Sequence, residues 1–100
     1  MYLYLVRCYL YNSNRKQKWA YKIGVTDNFD NRLKQLQTGN PHEILVTAVI
    51  PMESKTKAFE VEAFIIKEMT EKGKHIRGEW FTSIRLKDLI RKYEKTTRVF

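Results

Sequence analysis

The sequence predicts an α+β fold: a small three-stranded antiparallel β-sheet flanked by helices. Three observations lead to this prediction. Aromatic and β-branched residues concentrate in short runs, apolar residues recur elsewhere at helical spacing, and turn-forming residues separate these segments. The 100 residues suit one domain. We therefore assign residues 1–100 to a single domain, with its core at about 2–82 and a C-terminal helix and basic tail at 83–100.

The predicted strands are runs rich in aromatic and aliphatic residues. Residues 2–10 place such side chains on both alternating faces, which is typical of a strand covered on both sides. Residues 19–25 are expected to pair with them as an antiparallel hairpin, with the polar residues 12–18 as its basic tip. Residues 43–50 predict a third strand, and residues 79–82 a short extended piece.

The first predicted helix begins near Phe29, after Asp27 and Asn28, which are residue types that cap helices. Gly39 suits its end, because a glycine readily adopts the left-handed conformation found there. The apolar stripe of this helix consists of Phe29, Leu33 and Leu36.

Two further helices are predicted towards the C-terminus. Ser54 can cap a longer helix that continues to about residue 71 and is broken by residues 72–74. Residues 86–95 predict a final amphipathic helix.

Composition indicates a polyanion as partner. Lysine and arginine number 19 against 11 acidic residues, a formal net charge of +8. That excess must lie at the surface, where it attracts nucleic acid most readily. Two other interpretations are charge that only aids solubility and charge that binds an anionic membrane surface.

Cysteine usage and hydropathy indicate an intracellular protein. The one cysteine, Cys8, allows no intrachain disulfide, which suits a reducing compartment. No apolar run reaches the roughly 18 residues that a membrane span needs. The N-terminal residues lack the basic region of a signal peptide. We therefore expect a cytoplasmic protein without membrane contact.

Glu62 stands out in the second predicted helix. At helical spacing, Val61, Ile65 and Met69 cluster with Ala58, and Glu62 falls inside this core-facing stripe. A carboxylate there needs a cation or a metal as its partner. The alternative is a structural salt bridge at the edge of the stripe.

Three other residues have an ordinary structural interpretation beside a functional one. Lys22 lies in the middle of a predicted strand, where a lysine usually faces solvent. Arg32 lies at the margin of the first helix's apolar stripe, where its stem can simply cover apolar surface. Tyr4 is one of six tyrosines and, taken alone, fits a core position.

The order and spacing of several motifs resemble the GIY-YIG nuclease superfamily. Tyr2-Leu3-Tyr4 is similar to its first strand motif and Tyr21-Lys22-Ile23-Gly24 to its second, and Arg32 follows Gly24 at the family's spacing. The later residues resemble one branch of short phage, viral and bacterial proteins. The motifs that carry this second resemblance are Arg32–Pro41, Glu62 and Gly78-Glu79-Trp80-Phe81.

This resemblance implies a role for each matching residue. Tyr4 matches the tyrosine near the attacking water, Arg32 the phosphate-binding arginine, and Glu62 the glutamate that holds Mg²⁺ or Mn²⁺. Lys22 stands where the family usually has tyrosine, and some family nucleases have lysine there. If Lys22 and Tyr4 lie on different sheet faces, Tyr21 becomes the catalytic neighbour instead.

The sequence thus predicts a metal-dependent endonuclease that acts on nucleic acid, DNA rather than RNA. Arg15, Lys16 and Lys18 of the hairpin tip are expected to bind the phosphate backbone, which carries no sequence information. Specificity is then low, structure-based, or supplied by a homodimer or a partner protein. The alternative is a catalytically inactive nucleic-acid-binding module on the same fold, because Tyr2 and Ile66 depart from the family pattern.

Overall fold

The computed structural model describes residues 1–11, 17–40, 42–77 and 80–97. The elements are β1 (Tyr2–Tyr11), β2 (Gln17–Thr26), α1 (Phe29–Gln37), β3 (Ile44–Pro51), α2 (Lys55–Glu71), β4 (His75–Arg77), β5 (Trp80–Phe81) and α3 (Leu86–Thr97). The predicted α+β class is confirmed, and each predicted helix and strand lies within a few residues of an observed one.

The sheet is larger than predicted. The described residues form five antiparallel strands in the order β3-β1-β2-β5-β4. The predicted count of three was wrong because β4 and β5 contain three and two residues, which is too short for an alternating pattern to emerge. The hairpin strands also extend to Tyr11 and Gln17, so part of the predicted tip belongs to the ladder.

Side-chain caps fix where the first two helices begin. The Asn28 side-chain oxygen accepts a hydrogen bond from the Asn31 amide at 3.1 Å. The Ser54 hydroxyl accepts one from the Lys57 amide at 3.1 Å. Each cap satisfies a backbone donor that the first helical turn leaves without a partner. Of the two residues predicted to cap α1, Asn28 forms the cap, and the predicted Ser54 cap of α2 is confirmed.

The sheet separates two apolar clusters. On one face, α2 and α3 pack over Leu3, Leu5 and Ile23. On the other face, α1 packs over a smaller cluster that contains Tyr4 and Val6. The larger cluster also contains Val61, Ile65 and Met69 of α2 and Leu86, Leu89 and Tyr93 of α3. The final helix therefore completes the same core that the earlier residues form.

The outer edge of β2 is only partly covered. Among the described strands, β5 pairs with β2 at Tyr21 alone, whereas β1 pairs with β2 along its whole length. Beyond Tyr21, residues 22–26 thus have β1 on one side and no described strand on the other. Side chains from helices on opposite faces can meet around this open edge.

No helix in the described part of the chain is both long enough and apolar enough to span a membrane.

Candidate active site

Strand register decides which predicted site residues share a sheet face. Tyr4 pairs with Gly24, and Val6 pairs with Lys22. Directly paired residues of an antiparallel ladder project to the same face, and so do alternate residues along a strand. Tyr4 and Lys22 therefore lie on the same face, the one that α1 covers. Tyr21 lies on the other face, packed against the α2 and α3 cluster, so it is not the neighbour of Tyr4.

The Tyr4 side chain lies directly over Gly24. A Cβ atom built on Gly24 would overlap the Tyr4 hydroxyl oxygen and Cζ, and would lie 2.7 Å from Cε2. The Tyr4 ring also contacts the ring of Phe29, with centroids 5.6 Å apart. Tyr4 is 0% exposed. Glycine at position 24 is thus what allows the phenol to lie against the backbone of β2.

Arg32 is held over this phenol from α1. Its Nε donates a hydrogen bond to the Tyr4 hydroxyl at 3.2 Å, and its Nη1 donates to the Gln35 side-chain oxygen at 3.3 Å. Tyr4 and Arg32, 28 positions apart in sequence, are thereby brought into contact. Because two different groups hold the planar guanidinium, its orientation is fixed more narrowly than that of a solvated surface arginine.

Lys22 is buried, at 7% exposure. The solvent-facing interpretation is therefore wrong for this lysine, because α1 covers the face of the sheet to which it points. A charged group in such a position requires a polar or charged neighbour. It lies two residues before Gly24 on β2, on the same face as the phenol.

A polar cavity of about 430 Å³ opens beside Arg32. It lies between the N-terminal ends of α1 and α2, next to the open edge of β2. Its lining residues are Met1, Val25, Thr26, Asp27, Asn28, Asn31, Arg32, Gln35, Lys55 and Phe59. The cavity carries two cationic side chains, Arg32 and Lys55, against one carboxylate, Asp27. This excess of positive charge and the two helix N-termini favour an anion such as a phosphate.

Glu62 lies on the stripe of α2 that continues from this cavity. Lys55 and Phe59 line the cavity, and Glu62 follows Phe59 by three positions, which places it on the same side of the helix. Its side chain is half-buried. The predicted core-facing stripe is confirmed, because Ala58 and Val61 are buried beside it.

In the described part of the chain, the spacing of the metal-ligating side chains limits how a metal ion could bind. Within the described ranges, no group of three or more His, Cys, Asp or Glu side chains could hold a metal ion. A single carboxylate such as Glu62 would share an ion with water and substrate oxygens. Mg²⁺ suits that arrangement, since it keeps several waters and often binds one or two protein carboxylates.

The predicted basic tip cannot be placed in the site. Arg15 and Lys16 lie outside the described residues, and for Lys18 only the backbone, in β2, is described. Their predicted contact with nucleic acid stays a prediction.

Sequence reasoning missed Gln35 and Lys55. Gln35 is three residues after Arg32, so helical spacing could have identified it as a neighbour. Lys55 is the first residue of α2 and lies far from Arg32 in sequence. Only the meeting of two helix N-termini in three dimensions brings it to the cavity.

The fold and site together define a small α+β domain with a polar cavity beside a buried tyrosine and the half-buried arginine that donates a hydrogen bond to it. The family model called T5orf172 domain matches residues 1–96, and the chain belongs to this family. The family is associated with phage-type, nuclease-like proteins. Neither the search of curated proteins nor the search of solved structures found a match.

Proposed function

We propose that this protein is a metal-dependent endonuclease of the GIY-YIG type that hydrolyses phosphodiester bonds in DNA. The observation that carries the proposal is the Arg32 guanidinium, held by Tyr4 and Gln35 at the mouth of a cavity between two helix N-termini. That arrangement suits the phosphate group of a nucleic-acid backbone. Membership of the T5orf172 family supports a nuclease-like role.

Arg32 would bind a non-bridging phosphate oxygen with its terminal nitrogens. A guanidinium presents several donors in one plane and remains charged at every physiological pH. Lys55, on the opposite wall of the cavity, would contribute a second positive charge. Both cations would stabilise the negative charge that builds up on the phosphate in the transition state.

Tyr4 and Lys22 would act on the attacking water. The Tyr4 hydroxyl accepts a hydrogen bond from Arg32, so movement of Arg32 towards a bound phosphate would release that hydroxyl. The hydroxyl would then hydrogen-bond to the attacking water and orient it for in-line attack. Lys22, buried on the same sheet face, would add a positive charge on the side of the sheet where the phenol orients this water.

Glu62 is the residue that would hold Mg²⁺ or Mn²⁺. When bound, such an ion polarises the phosphate and stabilises the leaving oxygen. The half-buried position of Glu62 on the stripe that lines the cavity would bring its carboxylate towards a phosphate bound at Arg32.

Plasmid cleavage tests the proposal. Supercoiled DNA is incubated with wild type, Glu62→Ala and Glu71→Ala, with Mg²⁺, with Mn²⁺ and with EDTA. Glu71 is an exposed carboxylate of the same helix and serves as the matched control. We expect metal-dependent nicking that Glu62→Ala abolishes and Glu71→Ala retains. Cleavage by Glu62→Ala at the wild-type rate would show that the metal assignment is wrong.

A binding module without cleavage is the second candidate. One observation favours it: Tyr4 is 0% exposed, so no water reaches its hydroxyl in this conformation. Salt-sensitive gel retardation by both wild type and Glu62→Ala, without cleavage of plasmid, RNA or branched DNA, would establish that function instead.

A further inference from the structure

A group of three side chains on the β1–β2 hairpin belongs to neither core cluster. Arg7, Tyr9 and Trp19 project from one face of the sheet. The helices α2 and α3 cover the same face nearer to the opposite end of the hairpin. Tyr9 pairs directly with Trp19 across the strands, and Arg7 is the diagonal neighbour of Trp19. We call these three residues the hairpin platform.

The residues of the hairpin platform are stacked on one another. The Arg7 guanidinium carbon lies 4.2 Å from the centroid of the Trp19 ring. The rings of Tyr9 and Trp19 meet at 4.5 Å with an interplanar angle of 76°. All three side chains are half-buried. The contacts therefore hold the rings in place and leave part of the group open to solvent.

We propose that the hairpin platform binds unpaired nucleobases of single-stranded nucleic acid by stacking. The proposal rests on the proposed function, since it takes nucleic acid as the ligand. An aromatic face and a guanidinium plane are the two surfaces on which exposed bases stack. The net charge of +8 and the Arg7 cation favour a polyanion over an apolar peptide at this position.

The hairpin platform offers a bound single strand a second contact, apart from the Arg32 cavity. Tyr9 is five residues from Tyr4 on the same strand, a separation of roughly 17 Å along β1. The odd offset places Tyr9 on the sheet face opposite to Tyr4. A single strand bound at the Arg32 cavity would therefore contact the hairpin platform by passing around the edge of the sheet. Such a contact recognises unpaired bases and not a duplex, whose bases are stacked inside it.

The two tryptophans of the chain, Trp19 and Trp80, allow a direct test. An oligothymidylate of about eight nucleotides is titrated into Trp80→Phe and, separately, Trp19→Phe, in EDTA to prevent cleavage. We expect the oligonucleotide to quench tryptophan fluorescence in Trp80→Phe, where Trp19 is the remaining tryptophan, and not in Trp19→Phe. Quenching in neither variant would overturn the proposal.

Affinity measurements separate stacking from a merely structural role. By fluorescence anisotropy, Trp19→Ala should weaken oligothymidylate binding by about 5- to 150-fold and change binding of a blunt duplex by less than about twofold. An equal loss for both ligands would mean that the cluster only supports the hairpin. Plasmid cleavage combined with unquenched Trp19 would refute the platform and leave the nuclease proposal standing. Quenching of Trp19 fluorescence without plasmid cleavage would support the platform and refute the nuclease proposal.

Discussion

Replacing Gly24 by alanine tests whether the Tyr4 phenol lies where the structure places it. The added Cβ overlaps the Tyr4 hydroxyl oxygen and Cζ. Tyr4 is fully buried and is held by Phe29 and Arg32, so it cannot move aside freely. Local adjustment of an overpacked core costs about 1–3 kcal/mol, and complete loss of a buried aromatic side chain about 3–5 kcal/mol. We expect the free energy of unfolding to fall by about 3 kcal/mol, where the two ranges meet.

A double-mutant cycle in urea denaturation isolates this contact. In a Tyr4→Leu background the Cζ and hydroxyl atoms are gone, so the cost of Gly24→Ala should fall below about 1 kcal/mol. Gly39→Ala is the control. Gly39 has a φ of +75° and no atom within 4 Å of an added Cβ. Its substitution should cost about 1–2 kcal/mol from backbone strain alone, in either background.

Two results would refute this reasoning. One is a cost for Gly24→Ala below about 1 kcal/mol in the wild-type background. The other is an equal cost with and without the tyrosine. Either would mean that Tyr4 does not lie over Gly24, and the hydrogen bond from Arg32 would lose its geometric basis.

Three further predictions concern the core and the α2–α3 contact. Ile65→Ala should cost about 2–5 kcal/mol in urea denaturation and Phe59→Ala less than about 1, because Ile65 is 0% and Phe59 46% exposed; equal costs would contradict the assigned core. The hydrogen bond from Lys92, at 2.7 Å, lowers the pKa of the Glu68 carboxyl below its usual 4.5. The stabilisation from this hydrogen bond is therefore present above pH 4.5 and is lost as the pH falls through the folded-state pKa of Glu68. Glu68→Gln should then destabilise the protein at neutral pH and not in strong acid; a loss of stability that is independent of pH would contradict this. Burial raises the pKa of the Cys8 thiol, so iodoacetamide should label it slowly in the folded protein and much faster in denaturant; equal rates would show that it is accessible.

Much of the fold could be predicted because local patterns and tertiary packing agree. The α2 stripe at Ala58, Val61 and Ile65 is apolar at helical spacing and buried in the structure. The capping side chains of Asn28 and Ser54 begin their helices as their residue types predict. β4 escaped prediction because its short run gains its strand conformation from pairing with β5, a contact that periodicity cannot reveal.

The candidate site was only partly predictable, for a different reason. The resemblance identified Tyr4 and Arg32, and the structure brings them into hydrogen-bond contact. The burial of Lys22 depends on α1 crossing that sheet face, and the position of Lys55 at the cavity depends on where α2 begins. Both depend on the placement of helices, which a local sequence pattern does not encode.

The two-residue length of β5 has a consequence for how related domains could differ. A longer β5 would add hydrogen bonds along residues 22–26 of β2 and would fill the gap through which α1 and α2 approach each other. A longer β5 in a related domain would therefore narrow the entrance to the cavity. Such a change would leave Tyr4 and Arg32 in place, so the length of one edge strand would control access to the cavity without altering the tyrosine–arginine pair beside it.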